Sequence, residues 1–235
     1  MINEELKRLY ISYLPELKKL YQELDSLSIE DKSVNDYVGP FLLSCWEDKY
    51  LSSKYRLLIF GQETNGWHNE YLYSESDIED SIKCYKDFKL GENYGRIFWQ
   101  YAHKINQMIN GLDDLNFMWN NVNKFGNDGR GRPHSVVLDK EIEHFNVLSQ
   151  ELRILNPDIC IFLSGPYYDE DLRKKLPDLK AEQFKDYPTN EVARYASKSL
   201  PYNSFRTYHP GYGNRYKKWY NDVLSEIVNS IKSNH

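Results

Sequence analysis

Leu57-Leu58-Ile59-Phe60-Gly61-Gln62-Glu63-Thr64-Asn65-Gly66-Trp67 joins an apolar run to a glycine, an amide, a carboxylate and a second glycine. A short uninterrupted apolar run bounded by glycine is the pattern of a parallel strand buried on both faces. The carboxyl end of such a strand is where an open α/β sheet meets its ligands, so chemistry is expected in the residues after Phe60. Taken alone, the element reads more readily as an ordinary strand-to-helix turn with Glu63 in solvent. What stands at the other strand ends has to decide between the two.

Working outward, strands are predicted at Tyr55 to Phe60, Leu115 to Asn120, Ile159 to Ser164 and Phe205 to Tyr208. Helical spacing fills the gaps between them at Phe98 to Ile109, Lys140 to Leu155 and Tyr216 to Ile231. Strand and helix in alternation imply right-handed crossovers and parallel pairing. The expected fold is therefore α/β, a three-layer αβα sandwich with a central four-stranded, mostly parallel sheet. Leu6, Leu9, Tyr13, Leu17, Leu20 and Leu24 give an amphipathic N-terminal helical segment that Pro15 divides or kinks. A single domain over 1–235 is expected, with that segment as 1–50 and the core as 51–235. The stretches Gly66 to Asn93 and Pro177 to Pro201 show neither period and are expected to be irregular insertions or lids.

Composition bounds the function. At 235 residues with 40% hydrophobic and 28% charged residues, the chain has an ordinary globular make-up. Its 30 basic and 35 acidic side chains leave a formal charge of -5, so a nucleic-acid contact has to come from a local patch. Cys45, Cys84 and Cys160 are odd in number and form no C-x-x-C pair, which suits a reducing cytoplasm and gives no cysteine-ligated metal site. The first residues carry two acids and no apolar core, unlike a signal peptide, and no stretch is long and apolar enough to span a membrane. The six histidines lack H-E-x-x-H spacing, and the zinc deaminase signature is missing, so neither metal nor cofactor is expected.

The strand ends hold Gly61-Gln62-Glu63, Asn120-Asn121, Ser164-Gly165-Pro166 and His209-Pro210-Gly211. An Asn there offers both donor and acceptor to a planar heterocycle, though Asn also commonly satisfies loop backbone. Gly129-Arg130-Gly131-Arg132 reads as a flexible turn or as amides and guanidiniums meeting phosphate. From Ser204 to Tyr220 there are four basic residues and no acidic one, interleaved with aromatics. That is the local patch the global charge requires.

Together these pieces resemble the uracil-DNA glycosylase superfamily. Gly61-Gln62-Glu63-Thr64-Asn65 is similar to its first motif, of the type G-Q-D-P-Y or G-E-A-P-G. Gly95-Arg96-Ile97-Phe98 is similar to G-R-P-F, and Asn120-Asn121-Val122-Asn123-Lys124 to T-N-V-V-K. Asn156-Pro157-Asp158-Ile159-Cys160-Ile161 resembles the P-K-V-I strand lead, and His209-Pro210-Gly211 resembles H-P-S. The pieces run from about Tyr55 to Tyr220. Glu63 stands in place of Asp, Thr64 in place of Pro, and Asn65 in place of the Tyr that excludes thymine in uracil-selective members. Tyr212 follows His-Pro-Gly where the family has a Ser-rich loop, so the fold is implied and uracil specificity is not.

The resemblance implies hydrolysis of the N-glycosidic bond of a flipped uracil or other damaged base in DNA, as a repair enzyme. Glu63 and His209 are then the catalytic pair, Glu63 polarising water or steadying the sugar cation and His209 bonding the base carbonyl that gathers charge. Gln62, Phe98, Asn121 and Ser164 hold the base, with Phe98 stacking on its face. Arg130, Arg132, Arg215, Lys217 and Lys218 hold phosphate, and Tyr212 fills the vacated stack. Two alternatives stay open: a non-catalytic nucleobase, nucleotide or nucleic-acid binding protein of the same fold, and a hydrolase of free nucleosides. The first draws on Gly66 to Asn93, whose seven acidic and three basic residues repel a phosphate backbone.

Overall fold

The computed structural model describes residues 1–67, 71–111, 114–129, 131–213 and 216–233. Along the chain, α1 (Ile2–Ser12) and α2 (Leu14–Leu27) precede the short strand β1 (Tyr37–Val38), α3 (Glu47–Ser52) and β2 (Leu57–Gly61). Next come α4 (Glu75–Phe88), α5 (Ile97–Asn110), β3 (Met118–Asn121) and β4 (Gly126–Asn127). They lead to α6 (Ser135–His144), α7 (Leu148–Leu155), β5 (Ile159–Phe162) and α8 (Asp169–Lys175). Last are β6 (Lys180–Gln183), β7 (Ala193–Ala196), β8 (Asn203–Arg206) and α9 (Lys217–Ser233). No helix among the described residues is long and apolar enough to cross a membrane, and Cys45, Cys84 and Cys160 are not joined by disulfides.

The protein is α/β with a mostly parallel sheet. The chain divides into two compact units, the first Met1–Cys45, Gln62–Phe88 and Asn121–Leu155, the second Trp46–Gly61, Lys89–Asn120 and Asn156–His235.

The second unit carries the main sheet, in the order β3-β2-β5-β8-β7-β6. β2, β5 and β8 run parallel, with Leu57 to Phe60 opposite Ile159 to Phe162, and these opposite Asn203 to Arg206. All three are buried along their whole length, as central parallel strands must be. Paired residues Phe60 and Phe162 stack in parallel, ring centroids 4.2 Å apart. β3 lies on one side of β2 and β5 on the other, so strand order reverses at the strand that ends in Gly61.

The sheet has six strands and not four. β6 and β7, an antiparallel pair on the β8 edge, occupy the stretch expected to be an irregular insertion. Their sequences, Lys-Ala-Glu-Gln and Ala-Arg-Tyr-Ala, contain no apolar run because β6 is an exposed edge and β7 buries only alternate residues. Charge along an edge strand blocks further pairing, and here Glu182 and Arg194 stand opposite each other and form an ion pair.

The first unit is mainly helical. Pro15 sits in the first turn of α2, where its missing N–H costs nothing, and the break before it separates α1 from α2 as the sequence predicts. The single helix expected over Lys140 to Leu155 is two. Phe145 ends α6 in a non-helical conformation, and its buried ring packs edge-on against Tyr13 and Phe125. The other stretch expected to be irregular holds α4. Its first turn is a capping box, in which the Asp77 carboxylate accepts from the Tyr73 and Ser74 N–H groups and the Ser74 hydroxyl accepts from Asp77 N–H.

Candidate functional site

The residues that the sequence nominates fall in both units, and each group is built within its own.

In the first unit, the chain after Gly61 forms the loop Gln62–Gly66, which is stitched along the segment Asn121–Asn127. Asn123 N–H donates to the Gln62 carbonyl at 3.0 Å, Gly66 N–H donates to the Asn127 carbonyl at 3.1 Å, and Asn65 bridges Asn127 in parallel sense. A Cβ on Gly126 would lie 1.9 Å from the Thr64 carbonyl oxygen, so this contact exists only because residue 126 is glycine. Asn121 is buried, Gln62 and Glu63 are half-buried, and one oxygen of the Glu63 carboxyl group is shielded from solvent. The Gln62–Gly66 loop and the segment Asn121–Asn127 therefore share one backbone framework. It positions the Glu63 carboxylate and the Asn121 amide.

What holds that framework is a buried ionic cluster. Glu141 on α6 accepts from Lys124 N–H at 2.9 Å with one carboxylate oxygen and from Phe125 N–H at 3.1 Å with the other. The Lys124 ammonium pairs with Glu151 on α7 at 2.7 Å and lies over the Phe41 ring. Tyr10 donates to the same Glu151 oxygen at 2.7 Å and accepts from Leu43 N–H. Burial, then the Glu151 charge, drives the Tyr10 hydroxyl well above its usual pKa, so it stays a donor. Both carboxylates and the lysine are almost completely buried. A buried charge is tolerated only when paired and hydrogen-bonded, and this cluster meets that condition by gripping the backbone at residues 124 and 125. Sequence reading missed Glu141 and Glu151. Their signal was present: Glu151 stands among Leu148, Leu152 and Leu155 on the apolar stripe of α7, where an acid implies a buried partner.

In the second unit, the parallel strands deliver Ser164 and His209 to one edge of the sheet. Leu163 N–H donates to the Phe60 carbonyl, Thr207 N–H to the Phe162 carbonyl and Gly165 N–H to the Thr207 carbonyl, which carries the ladder past the strand ends. Ser164 is buried there, and beside it lies Thr207, a fully buried hydroxyl that sequence reading did not single out.

His209-Pro210-Gly211-Tyr212 is a β-turn closed by Tyr212 N–H donating to the His209 carbonyl at 2.9 Å, with proline at its favoured second position. Inside the turn, Gly211 N–H donates to His209 Nδ1 at 3.0 Å. Nδ1 is thus an acceptor, and a neutral imidazole must then carry its proton on Nε2. Burial lowers the His209 pKa below the ordinary 6.5, which keeps the ring neutral at neutral pH. Phe98, near the start of α5, stacks in parallel on the imidazole with ring centroids 5.8 Å apart and meets Trp99 edge-on. The arrangement presents an uncharged Nε2–H donor on a ring of fixed orientation.

The residues expected to bind phosphate are less concentrated than the sequence suggests. Arg206, one of the four basic residues in the Ser204 to Tyr220 stretch, is buried and bonds Asp169 at 3.1 Å and the Thr189 carbonyl at 2.6 Å. Arg130 and Arg215 lie outside the described residues. Arg132 is exposed in the first unit. Tyr212 lies flat on Tyr208, centroids 4.6 Å apart, as part of a packed aromatic pair. Lys217 and Lys218 are exposed in the first turn of α9, where the helix dipole disfavours cations and favours anions.

Compared with models of known protein families the chain matches none, and compared with curated proteins it has no significant match.

Proposed function

We propose that this protein is a DNA glycosylase-like hydrolase that cleaves the N-glycosidic bond of a flipped uracil or other damaged base, on a three-layer αβα fold in a reducing cytoplasm. The observation that carries the reading is the His209 turn. When the glycosidic bond breaks, the base leaves with negative charge on a carbonyl oxygen, and a neutral N–H donor of fixed orientation stabilises that charge without reorganising. An imidazolium at this half-buried position would carry a desolvation cost.

In this reading Glu63 supports the attacking water or the oxocarbenium-like sugar. Asn121 and Gln62 bond the base edge, Phe98 supplies an aromatic face, and Ser164 bonds the base. Lys217 and Lys218 hold phosphate with Arg132, and Arg130 and Arg215 are assigned the same role. Tyr212 fills the vacated stack.

A second reading, binding of a nucleobase or nucleotide without hydrolysis, draws on α4. Glu75, Asp77, Glu79 and Asp80 crowd its first two turns, a poor neighbour for a duplex backbone. Incubation with oligonucleotides bearing uracil, hypoxanthine, xanthine or a mismatch, followed by alkaline cleavage at abasic sites, separates the two. Strand scission abolished by Glu63→Ala and by His209→Ala is the expected result. No scission on any substrate, with salt-independent binding of free nucleotides, supports the second reading.

A further inference from the structure

Where α2 packs against α6 in the first unit, three carboxylates surround one histidine. His144 is about nine-tenths buried. Its Nδ1 lies 3.1 Å from Glu16 Oε2, and its Nε2 lies 3.3 Å from Glu23 Oε1 and 3.8 Å from Glu143 Oε1. Nε2 is shielded from solvent and makes no hydrogen bond of acceptable geometry, although it is aimed at two acids. Carboxylate oxygens thus face both ring nitrogens, Glu16 on the Nδ1 side and Glu23 and Glu143 on the Nε2 side, and a metal ion on Nε2 can take the place of a proton there.

We propose that His144 Nε2, Glu23 Oε1 and Glu143 Oε1 form a binding site for a divalent transition-metal ion of the zinc type. The three donor atoms lie within 4.8 Å of one another. Zinc–nitrogen and zinc–oxygen bonds of about 2.0–2.2 Å at a tetrahedral angle place neighbouring donors roughly 3.3–3.5 Å apart. The 3.3 and 3.8 Å separations match that spacing closely enough for a small side-chain adjustment to complete it. One imidazole and two carboxylates are a donor set that suits zinc, cobalt or manganese.

The surroundings also fit. Glu16 on Nδ1 is the outer-shell carboxylate that commonly orients a metal-binding imidazole. Lys140 bonds the Oε2 atoms of both Glu23 and Glu143, which leaves each Oε1 turned to the histidine. Glu23 and Lys140 also line an open groove of about 480 Å³, which brings solvent to the Glu23 side of the cluster. The sequence shows no metal spacing because the donors come from two helices.

Full-length protein stripped with a chelator and titrated with Zn²⁺ by calorimetry is expected to bind one equivalent, and Co²⁺ at the same site is expected to give tetrahedral visible absorption. His144→Ala and the exposed Glu143→Gln should each weaken binding tenfold or more, and Glu16→Gln about 10–100-fold. Glu79→Gln, an acid paired with Lys7 away from the cluster, should leave it unchanged. Absence of stoichiometric binding, or binding that Glu143→Gln does not weaken, overturns the proposal.

Discussion

At the scale of single residues, two atoms decide the geometry: the Cβ that Gly126 lacks and the proton that His209 carries on Nε2. Gly126→Ala would drive a methyl group into the Thr64 carbonyl, a backbone atom without freedom to swing away. The expected cost is about 1–3 kcal/mol or more, with displacement of the Gln62–Gly66 loop. Chemical denaturation checks the first, and, on the proposed function, loss of base excision out of proportion to the lost stability checks the second. For His209, the folded pKa lies below the ordinary 6.5, so the unfolded chain binds the proton more readily than the native one. Stability from this group is fully present above about 6.5 and falls as pH drops through the lower native value. Relative to His209→Gln, the wild-type melting temperature is therefore expected to decline below about pH 6.5. Parallel curves for the two proteins would contradict the assignment.

At the scale of elements, the segment after β3 is held by α6 and α7 through charges buried among apolar side chains. Lys124→Met leaves Glu151 without its ammonium in a site closed to water. The expected loss is about 3–5 kcal/mol, measurable by urea unfolding. Lys124→Met with Glu151→Leu removes both charges and should recover much of it, and a double variant no better than the single one would show that the pair is not the source of the effect. The contrast among elements explains what could be read beforehand. β2 and β5 announce themselves because a strand buried on both faces is ordinarily apolar throughout; β8, Asn-Ser-Phe-Arg, is buried without an apolar run and begins two residues before the expected Phe205 to Tyr208. β6 and β7 do not, since an edge pair needs only Ala193 and Tyr195 facing inward. α4 was obscured for a related reason: Ile78 and Tyr85 are its only large buried apolar residues, with Ser81 filling the stripe between them. Its capping box at Ser74 and Asp77 was the legible sign. The loops at the strand ends were readable from residue type. The charges that fix them, and the burial of Arg206, depend on partners far away along the chain.

At the scale of the whole molecule, a chain of net charge -5 can meet DNA only through few cations. Each neutralised phosphate contributes about 0.9 to the slope of log affinity against log salt. Replacing Lys217 and Lys218 together by alanine is expected to flatten that slope by about 2 for an oligonucleotide, and an unchanged slope would remove α9 from the interface. The most direct test of the proposed chemistry is the state of one imidazole. Long-range proton–nitrogen NMR correlation on protein labelled at histidine nitrogen distinguishes Nδ1 from Nε2. For His209 at neutral pH the expected result is an unprotonated, accepting Nδ1 and a protonated Nε2, persisting to below pH 6.5. An imidazolium at neutral pH, or a proton on Nδ1, would contradict it.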